Sequence, residues 1–332
     1  MLAPHALADA LSDLSVRVDG VKVQVGSVPL ADYPGGLRPT GIVEIHGSGV
    51  SGFGENVAFD LKAQQTFRQR ATALVPAGTW RLSALLNGNV DPFERTALEA
   101  ALLDLALRQR QSSMAELAGV SDSRLRWLSS FAATADPAAR VRAIRTTLDV
   151  SEFKVDVDAG WTDSVIDELR AAGEIVTLDF KSAGDPDSCR RLEAAFPTSI
   201  FEDPPAACAA SLVALDREIS DHEAVVRAVA SGRIVNLKAP RMGGFLEVMR
   251  GLEAIRSARG RAYFGGMFEV GPGREQARQV AALYCPTEPN DLGPLLGGVS
   301  SMRGRSPSEM AVHHPGFGSG CDWARSPTFG GG

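Results

Sequence analysis

Hydrophobic and polar positions follow two different rhythms along the chain, and the change falls after about 120 residues. In the first part, Val21 to Val25 and Gly41 to His46 are rich in β-branched residues and are separated by the turn-forming string VPLADYPGGLRPTG. That pattern predicts antiparallel strand, loop and strand. Ser48 to Glu55 (SGVSGFGE) reads as a Gly-rich turn, and a helix is expected from Leu61 to Ala73. Asp91-Pro92 then opens PFERTALEAALLDLALRQRQ, with Asp91 a good N-cap, Pro92 suited to the first helical position and helical Leu/Ala spacing after them.

From about Arg126 short apolar strings alternate with polar-faced helical ones. RWLSSFAA, FKVDV, IVTLDF, SIFEDP, LVALD, IVNLKA, AYFGGMFE and LYCPTEPNDLGP can each form or end a strand. Between most of them lie helical stretches such as PAARVRAIRTTL, TDSVIDELRAAG and GFLEVMRGLEAIRSARG. About eight such repeats predict an α/β fold, a (β/α)8-type TIM barrel. An open doubly wound sheet is the competing arrangement, but no GxGxxG turn follows the first strand. The expected organisation is an N-terminal α+β capping domain over residues 1–122 and a modified barrel over 123–296. The Gly/Pro-rich tail, 297–332, is expected to pack back on the capping domain.

Composition narrows the function classes. At 332 residues, 44% hydrophobic, 22% charged and net charge −6, the chain has the composition of an ordinary soluble enzyme. Nothing in it resembles a basic nucleic-acid footprint. The opening MLAPHALADALSDLSVRV lacks the pattern of a secretory leader, and no apolar run is long enough to span a bilayer. A cytoplasmic location is expected, with no nucleic-acid or membrane partner; a homo-oligomer is left open. Cys189, Cys208, Cys285 and Cys321 are too widely spaced for a zinc site, and reduced thiols are expected.

In a barrel, chemistry sits at the C-terminal ends of the strands. Polar residues there form an ordered set: Lys154, Asp179, Glu202, Asp216, Lys238 and Glu269. Three acids end three consecutive strands with a lysine on either side. Uncompensated carboxylates would repel one another, and hard oxygen donors suit Mg²⁺ (or Mn²⁺). Removing a proton beside a carboxylate adds charge to its oxygens, which a cation stabilises while a lysine takes the proton. A small carboxylate substrate is therefore expected. His313-His314, in a Pro/Gly loop, and Trp127, Trp161 and Trp323 read as packing residues rather than site residues.

The order Lys, Asp, Glu, Asp, Lys resembles the muconate-lactonising branch of the enolase superfamily. SGFGE is similar to that family's GWGE turn, TALEAALLDLA to its signature helix, NLKAPRMGG to the segment bearing the strand-six lysine, and HHPGFGSGCDW to its closing PGLG segment. GGMFEVGPGR looks like a segment of o-succinylbenzoate synthases and N-acylamino-acid racemases. The resemblance covers nearly the whole chain. It implies Asp179, Glu202 and Asp216 as metal ligands, Lys238 and Lys154 as catalytic lysines, and a lyase or isomerase. Loops at about Ser27 to Pro39 and Ser51 to Phe59 would close over the substrate, and Glu269 would lie on the substrate side.

Four departures from that pattern stand out. Where the family has Lys-x-Lys on strand two, Lys154-Val155-Asp156 stands here, and the register leaves either Glu152 or Asp156 in the other lysine's place. Asp179-Phe180-Lys181 replaces Asp-x-Asn, which brings Lys181 to the same face as Asp179, either as a third candidate catalytic lysine or as a charge that weakens metal binding or replaces part of the metal's charge. Only 14 positions separate Glu202 from Asp216, so the fourth helix is expected to be shortened. Asp216-Arg217-Glu218 replaces Asp-Glu-Ser. A one-base lyase reaction is favoured over a two-base racemase, with o-succinylbenzoate synthase-like dehydration as the specific version. A cycloisomerase, a racemase or epimerase, or a non-catalytic barrel are the alternatives.

Overall fold

The computed structural model describes residues 1–85, 90–120, 124–148, 150–295 and 316–317. The chain begins with α1 (Pro4–Ser12) and β1 (Ser15–Val18), followed by the antiparallel meander β2 (Gly20–Pro29), β3 (Leu37–Gly47) and β4 (Val50–Asn56). Then come α2 (Leu61–Leu74), β5 (Gly78–Arg81), which pairs with β1, and α3 (Leu82–Leu85). The unit ends with α4 (Pro92–Gln109) and α5 (Met114–Ala118). Asp91 caps α4 as expected: its carboxylate accepts from the Phe93 N–H at 3.0 Å. Residues from Ala97 to Leu107 are buried all round, because α4 lies between the meander and the barrel.

The segment 48–55 is not the Gly-rich turn expected of it. Ser48 and Gly49 make the turn, with φ of 52° and 80°, and the remainder is strand β4. Its glycines serve a close approach instead. A Cβ on Gly54 would lie 2.0 Å from the Ala97 carbonyl oxygen, and one on Gly52 would lie 2.2 Å from the Leu105 nitrogen. Glycine alone lets α4 lie directly on the strand.

The second part is a parallel sheet of seven strands in chain order. They are β6 (Ser129–Phe131), β7 (Glu152–Asp156), β8 (Glu174–Asp179), β9 (Ile200–Glu202), β10 (Val213–Leu215), β11 (Ile234–Leu237) and β12 (Ala262–Phe264). The connecting helices are α6 (Pro137–Thr147), α7 (Asp163–Ala172), α8 (Pro186–Ala195), α9 (His222–Ala230), α10 (Ala239–Met242) with α11 (Phe245–Ser257), and α12 (Pro272–Tyr284). The sheet curls, and the eighth strand is reduced to Asn290 and Asp291, which bridge to Trp127 and Gly265. Leu128 N–H donates to the Asn290 carbonyl at 3.0 Å, and Asp291 N–H to that of Phe264 at 2.7 Å. Two residues thus join the first strand to the last. The fourth crossover goes further than expected: residues 203–212 contain turns and bends but no helix.

Two buried acids tie the capping unit to the barrel. Glu55 on β4 accepts from the N–H groups of Val270, Gly271 and Gly273 at 2.8, 2.8 and 3.1 Å, at the N-terminus of α12. Glu99 on α4 accepts from Leu246 N–H at 2.9 Å, at the start of α11. Gly244, with φ 144°, is needed there, because a Cβ would stand 2.3 Å from a Glu99 carboxylate oxygen. Of the tail, only Gly316 and Phe317 are described. Phe317 packs edge-on against Phe245 at 4.8 Å, and its N–H donates to Asp104. His313, His314, Trp323 and Cys321 lie outside the described residues. Cys189, Cys208 and Cys285 are free thiols, and among the described residues no helix is long and apolar enough to cross a membrane.

Gly54→Ala should destabilise the protein by about 1–3 kcal/mol through overpacking against α4, read as a lower urea midpoint with an unchanged slope. A second expectation concerns pH. Burial raises the Glu99 carboxyl from 4.5 to about 7, its hydrogen bond from Leu246 opposing. A carboxyl that binds its proton more tightly when folded stabilises the fold below its unfolded value, and that contribution is lost as pH rises through about 7. Wild type should therefore lose stability relative to Glu99→Gln between about pH 5 and pH 8, on the order of 2 kcal/mol. Urea denaturation of both proteins at the two pH values checks this; a constant difference would contradict it.

Candidate functional site at the barrel mouth

Strand register assembles the mouth. Asp156 pairs with Asp179 and Asp179 with Glu202, which places three carboxylates side by side at the ends of β7, β8 and β9. Glu152 stands at the other end of β7 and holds Arg126 through both oxygens. Asp156 is therefore the residue that shares the mouth with Lys154.

Each acid is matched by a cation from the chain. Lys154 Nζ lies 2.6 Å from Glu202, 3.1 Å from Asp179 and 3.5 Å from Asp291, and Lys154 is only 3% exposed. The second Glu202 oxygen accepts from the Tyr263 hydroxyl. Lys181 Nζ donates to Asp179 at 2.6 Å and lies 3.1 Å from Asp156, while its N–H donates to the other Asp179 oxygen at 3.0 Å. Asp216 is bound at 2.8 Å by Lys238 and at 2.6 Å by Arg241.

These contacts set the charges. Burial favours neutral Asp179, but Lys154 and Lys181 overcome it and hold the carboxyl well below its usual range. Asp216 is likewise brought to about 2, against burial, by Lys238, Lys154 and Arg241. For Glu202 burial prevails, with repulsion from Asp179 and Asp216, and its carboxyl rises to about 7. Burial lowers the pKa of Lys154, yet the carboxylates around it outweigh this and raise it well above the ordinary lysine value. Lys181 is also raised, by Asp179 and Asp156, against burial and Lys154. Both are ammonium ions at neutral pH.

A cavity of about 260 Å³ opens over this cluster, lined by Lys154, Lys181, Lys238, Arg274, Asp156 and Asp291. Asp32, Pro34 and Phe59 of the capping domain roof it. Of the two segments expected to close over a ligand, only residues 30–36 and 57–59 lie outside strands. Arg38, fully buried, holds them: it donates to the carbonyls of Val57 and Ala58, and to those of Met267 and Phe268 beyond β12. Its guanidinium lies 5.1 and 4.8 Å from the rings of Tyr33 and Phe59. Glu269 does not line the cavity; both its oxygens accept from Met267 N–H at 3.0 Å, and Arg274 lies 3.6 Å away. Trp161 is buried, its indole N–H donating to the Thr134 carbonyl.

Several backbones at the mouth are strained. Lys181, Asp203 and Phe268 take φ of 50°, 42° and 60°, unusual for side chains of their kind. Asp203 accepts from the N–H groups of Asp216 and Arg217, both at 2.9 Å. This clamp does what a crossover helix does elsewhere, fixing the end of β10 beside that of β9. Sequence reading did not single out Arg241, Tyr263, Arg274 or Asp291. Arg241 and Asp291 were visible in NLKAPRMGG and in the eighth strand-like string, whereas Tyr263 looks like any core aromatic until the barrel turns it toward Glu202.

The carboxylates do not fit a divalent ion as they stand. Among the described residues no group of three or more His, Cys, Asp or Glu is placed to hold a metal. Asp179 and Glu202 converge on Lys154, Asp216 is turned to Lys238 and Arg241, and both Glu202 oxygens are engaged. An ion bound by this set would have to displace the Lys154 ammonium. Asp203→Ala should cost about 1–3 kcal/mol by leaving two N–H groups of the clamp without their partner, measured as a drop in urea midpoint. No change would show the clamp to be dispensable.

Residues 122–296, just over half of the chain, match the family model described as Domain of unknown function (DUF8230) C-terminal domain. Among solved structures, a dipeptide epimerase from Enterococcus faecalis V583 superposes with a TM-score of 0.76 at 18% identity, over 92% of this chain and 99% of that one. A mandelate racemase/muconate lactonizing enzyme from Roseiflexus sp. gives 0.70 at 19%, over 83% and 88%. A muconate lactonizing enzyme from Klebsiella pneumoniae gives 0.68 at 20%, over 83% and 87%. The fold is that of the enolase superfamily: a curled parallel sheet with an antiparallel N-terminal capping domain. No curated protein matches the chain.

Proposed function

This chain belongs to the DUF8230 family, and from the chemistry of its barrel mouth we propose that it is an isomerase or lyase that removes the proton beside a small substrate's carboxylate. The observation that carries this reading is the convergence of Lys154, Lys181, Lys238 and Arg274 on one cavity of about 260 Å³ at the strand ends. Lys154, Lys181 and Arg274, as cations in a part-buried cavity, suit an anionic ligand, and more so one whose negative charge grows during reaction. The enolase-superfamily frame, shared with an epimerase and a muconate lactonizing enzyme, supports the same class by analogy of fold.

In this reading the substrate carboxylate enters beneath Phe59 and Asp32 and meets the cationic wall. Lys154 and Lys181, held as ammonium ions, stabilise the charge that develops on its oxygens. Lys238 is the proton acceptor and acts as the neutral amine. It reaches the cavity from the end of β11, and Arg241, which also binds Asp216, holds that carboxylate when Lys238 is uncharged. The lysines on the β7 and β8 side of the cavity, Lys154 and Lys181, are held as ammonium ions and Asp156 stands beside them, so none serves there as the second lysine base of a racemase; a one-base reaction follows. The Mg²⁺ (or Mn²⁺) expected from the sequence finds no ready donor set here, and no step is assigned to it. Within the class, o-succinylbenzoate synthase-like dehydration is the most specific version, supported by NLKAPRMGG and GGMFEVGPGR, with cycloisomerisation or epimerisation as its alternative.

Incubating a panel of α-substituted carboxylates with the protein in D₂O tests the reading. Deuterium should enter at the α-carbon of at least one of them, and Lys238→Ala should slow that exchange by about 10²–10⁴-fold. Exchange that persists in both Lys238→Ala and Lys154→Ala would overturn these assignments. Binding of carboxylates with no exchange in wild type would favour a non-catalytic anion-binding barrel, the reading suggested by the complete pairing of the acids.

A further inference from the structure

We propose that the buried Lys154 ammonium is the resident cation of this barrel, occupying the space between Asp179, Glu202 and Asp291 that a divalent metal ion would need. The inference concerns the same mouth as the proposed reaction but rests on placement alone, so it holds or fails whether or not the chain is a catalyst.

The geometry is that of a cation held in a cage. Nζ stands 2.6, 3.1 and 3.5 Å from carboxylate oxygens contributed by β9, β8 and the two-residue eighth strand. Asp179 is 2% and Glu202 0% exposed, so water supplies little of the missing solvation and their ionised forms depend on a cation close by. Lys181 adds a second positive charge on Asp179. Together the two lysines bring the charge of one divalent ion to the pair Asp179 and Glu202. Lys154 is tethered to a strand and its charge cannot diffuse away, whereas a metal is lost to chelators. Asp216 is withdrawn from the cage by Lys238 and Arg241, which removes a donor that a metal would use.

Two consequences follow for the full-length protein. Wild type should carry no stoichiometric Mg²⁺ or Mn²⁺ after purification, and its thermal midpoint should be unchanged by EDTA. Titrated with Mn²⁺ and followed by the electron paramagnetic resonance of the free ion, it should leave the signal intact to about 1 mM, weaker than ordinary enzyme Mg²⁺ or Mn²⁺ sites. Lys154→Ala vacates the cage and leaves its carboxylates uncompensated. It should take up one Mn²⁺ per chain at least about tenfold more tightly than wild type, with a rise in its thermal midpoint on adding the ion. Asp179→Asn placed in that variant should remove the gained binding. Stoichiometric Mn²⁺ binding by wild type overturns the proposal, and that measurement stands even if Lys154→Ala does not fold. A folded Lys154→Ala protein that leaves Mn²⁺ free overturns it equally. Neither readout depends on turnover, so loss of exchange activity and failure of this inference are told apart.

Discussion

A lysine ammonium buried among carboxylates from three strands is the interaction on which the mouth of this barrel depends. Parallel strands stand less than 5 Å apart, so Asp156, Asp179 and Glu202, in register on β7, β8 and β9, form a row of like charges. Such a row is stable only with counter-charge threaded through it. Lys154 and Lys181 supply it from within the same strands or just beyond them. Because Nζ of Lys154 also reaches Asp291, the ion cluster spans the place where the barrel closes with only two residues of strand. Electrostatics at the mouth and closure of the ring are one problem with one solution.

The capping domain is joined to that barrel by polar groups of unusual burial rather than by apolar packing alone. Glu55 and Glu99 each place a carboxylate at a helix N-terminus of the barrel, where exposed N–H groups and the helix dipole receive it. Arg38 does the reverse, offering its donors to carbonyls of both units. A buried polar group hydrogen-bonded across the two units has few alternative positions, so these residues fix how the roof sits over the cavity. The aromatic pair Tyr33 and Phe59, packed on the Arg38 guanidinium, then presents a defined ceiling to any ligand.

The missing fourth helix shows how the fold tolerates loss. Ten residues, 203–212, join two neighbouring parallel strands without a helix to cover them. Asp203, in a left-handed conformation, bonds the backbone of residues 216 and 217 directly. The strain of that conformation is offset by two hydrogen bonds from N–H groups that the short strand β10 leaves free. Asp216 and its two cations are positioned by this local device, so the shortened crossover and the altered acid site are aspects of a single change.

Much of this architecture was legible in the chain. Strand–helix alternation, the start of α4 at Asp91-Pro92 and the shortened crossover are local or counting properties, and the structure carries all three. The ordered acids and lysines at strand ends were legible too, because period-two alternation decides which residues share a face. The meaning of the glycines in SGFGE was not, since it depends on α4 packing against them from some 45 residues away. Nor was the pairing of charges. Residue types at the strand ends suggested carboxylates awaiting a metal; only the closed barrel, which brings Lys154 to Glu202 across 48 positions, sets a cation of the chain itself among them. Sequence determines which charges are present. Their distances, and therefore their energies, exist only once the sheet has curled.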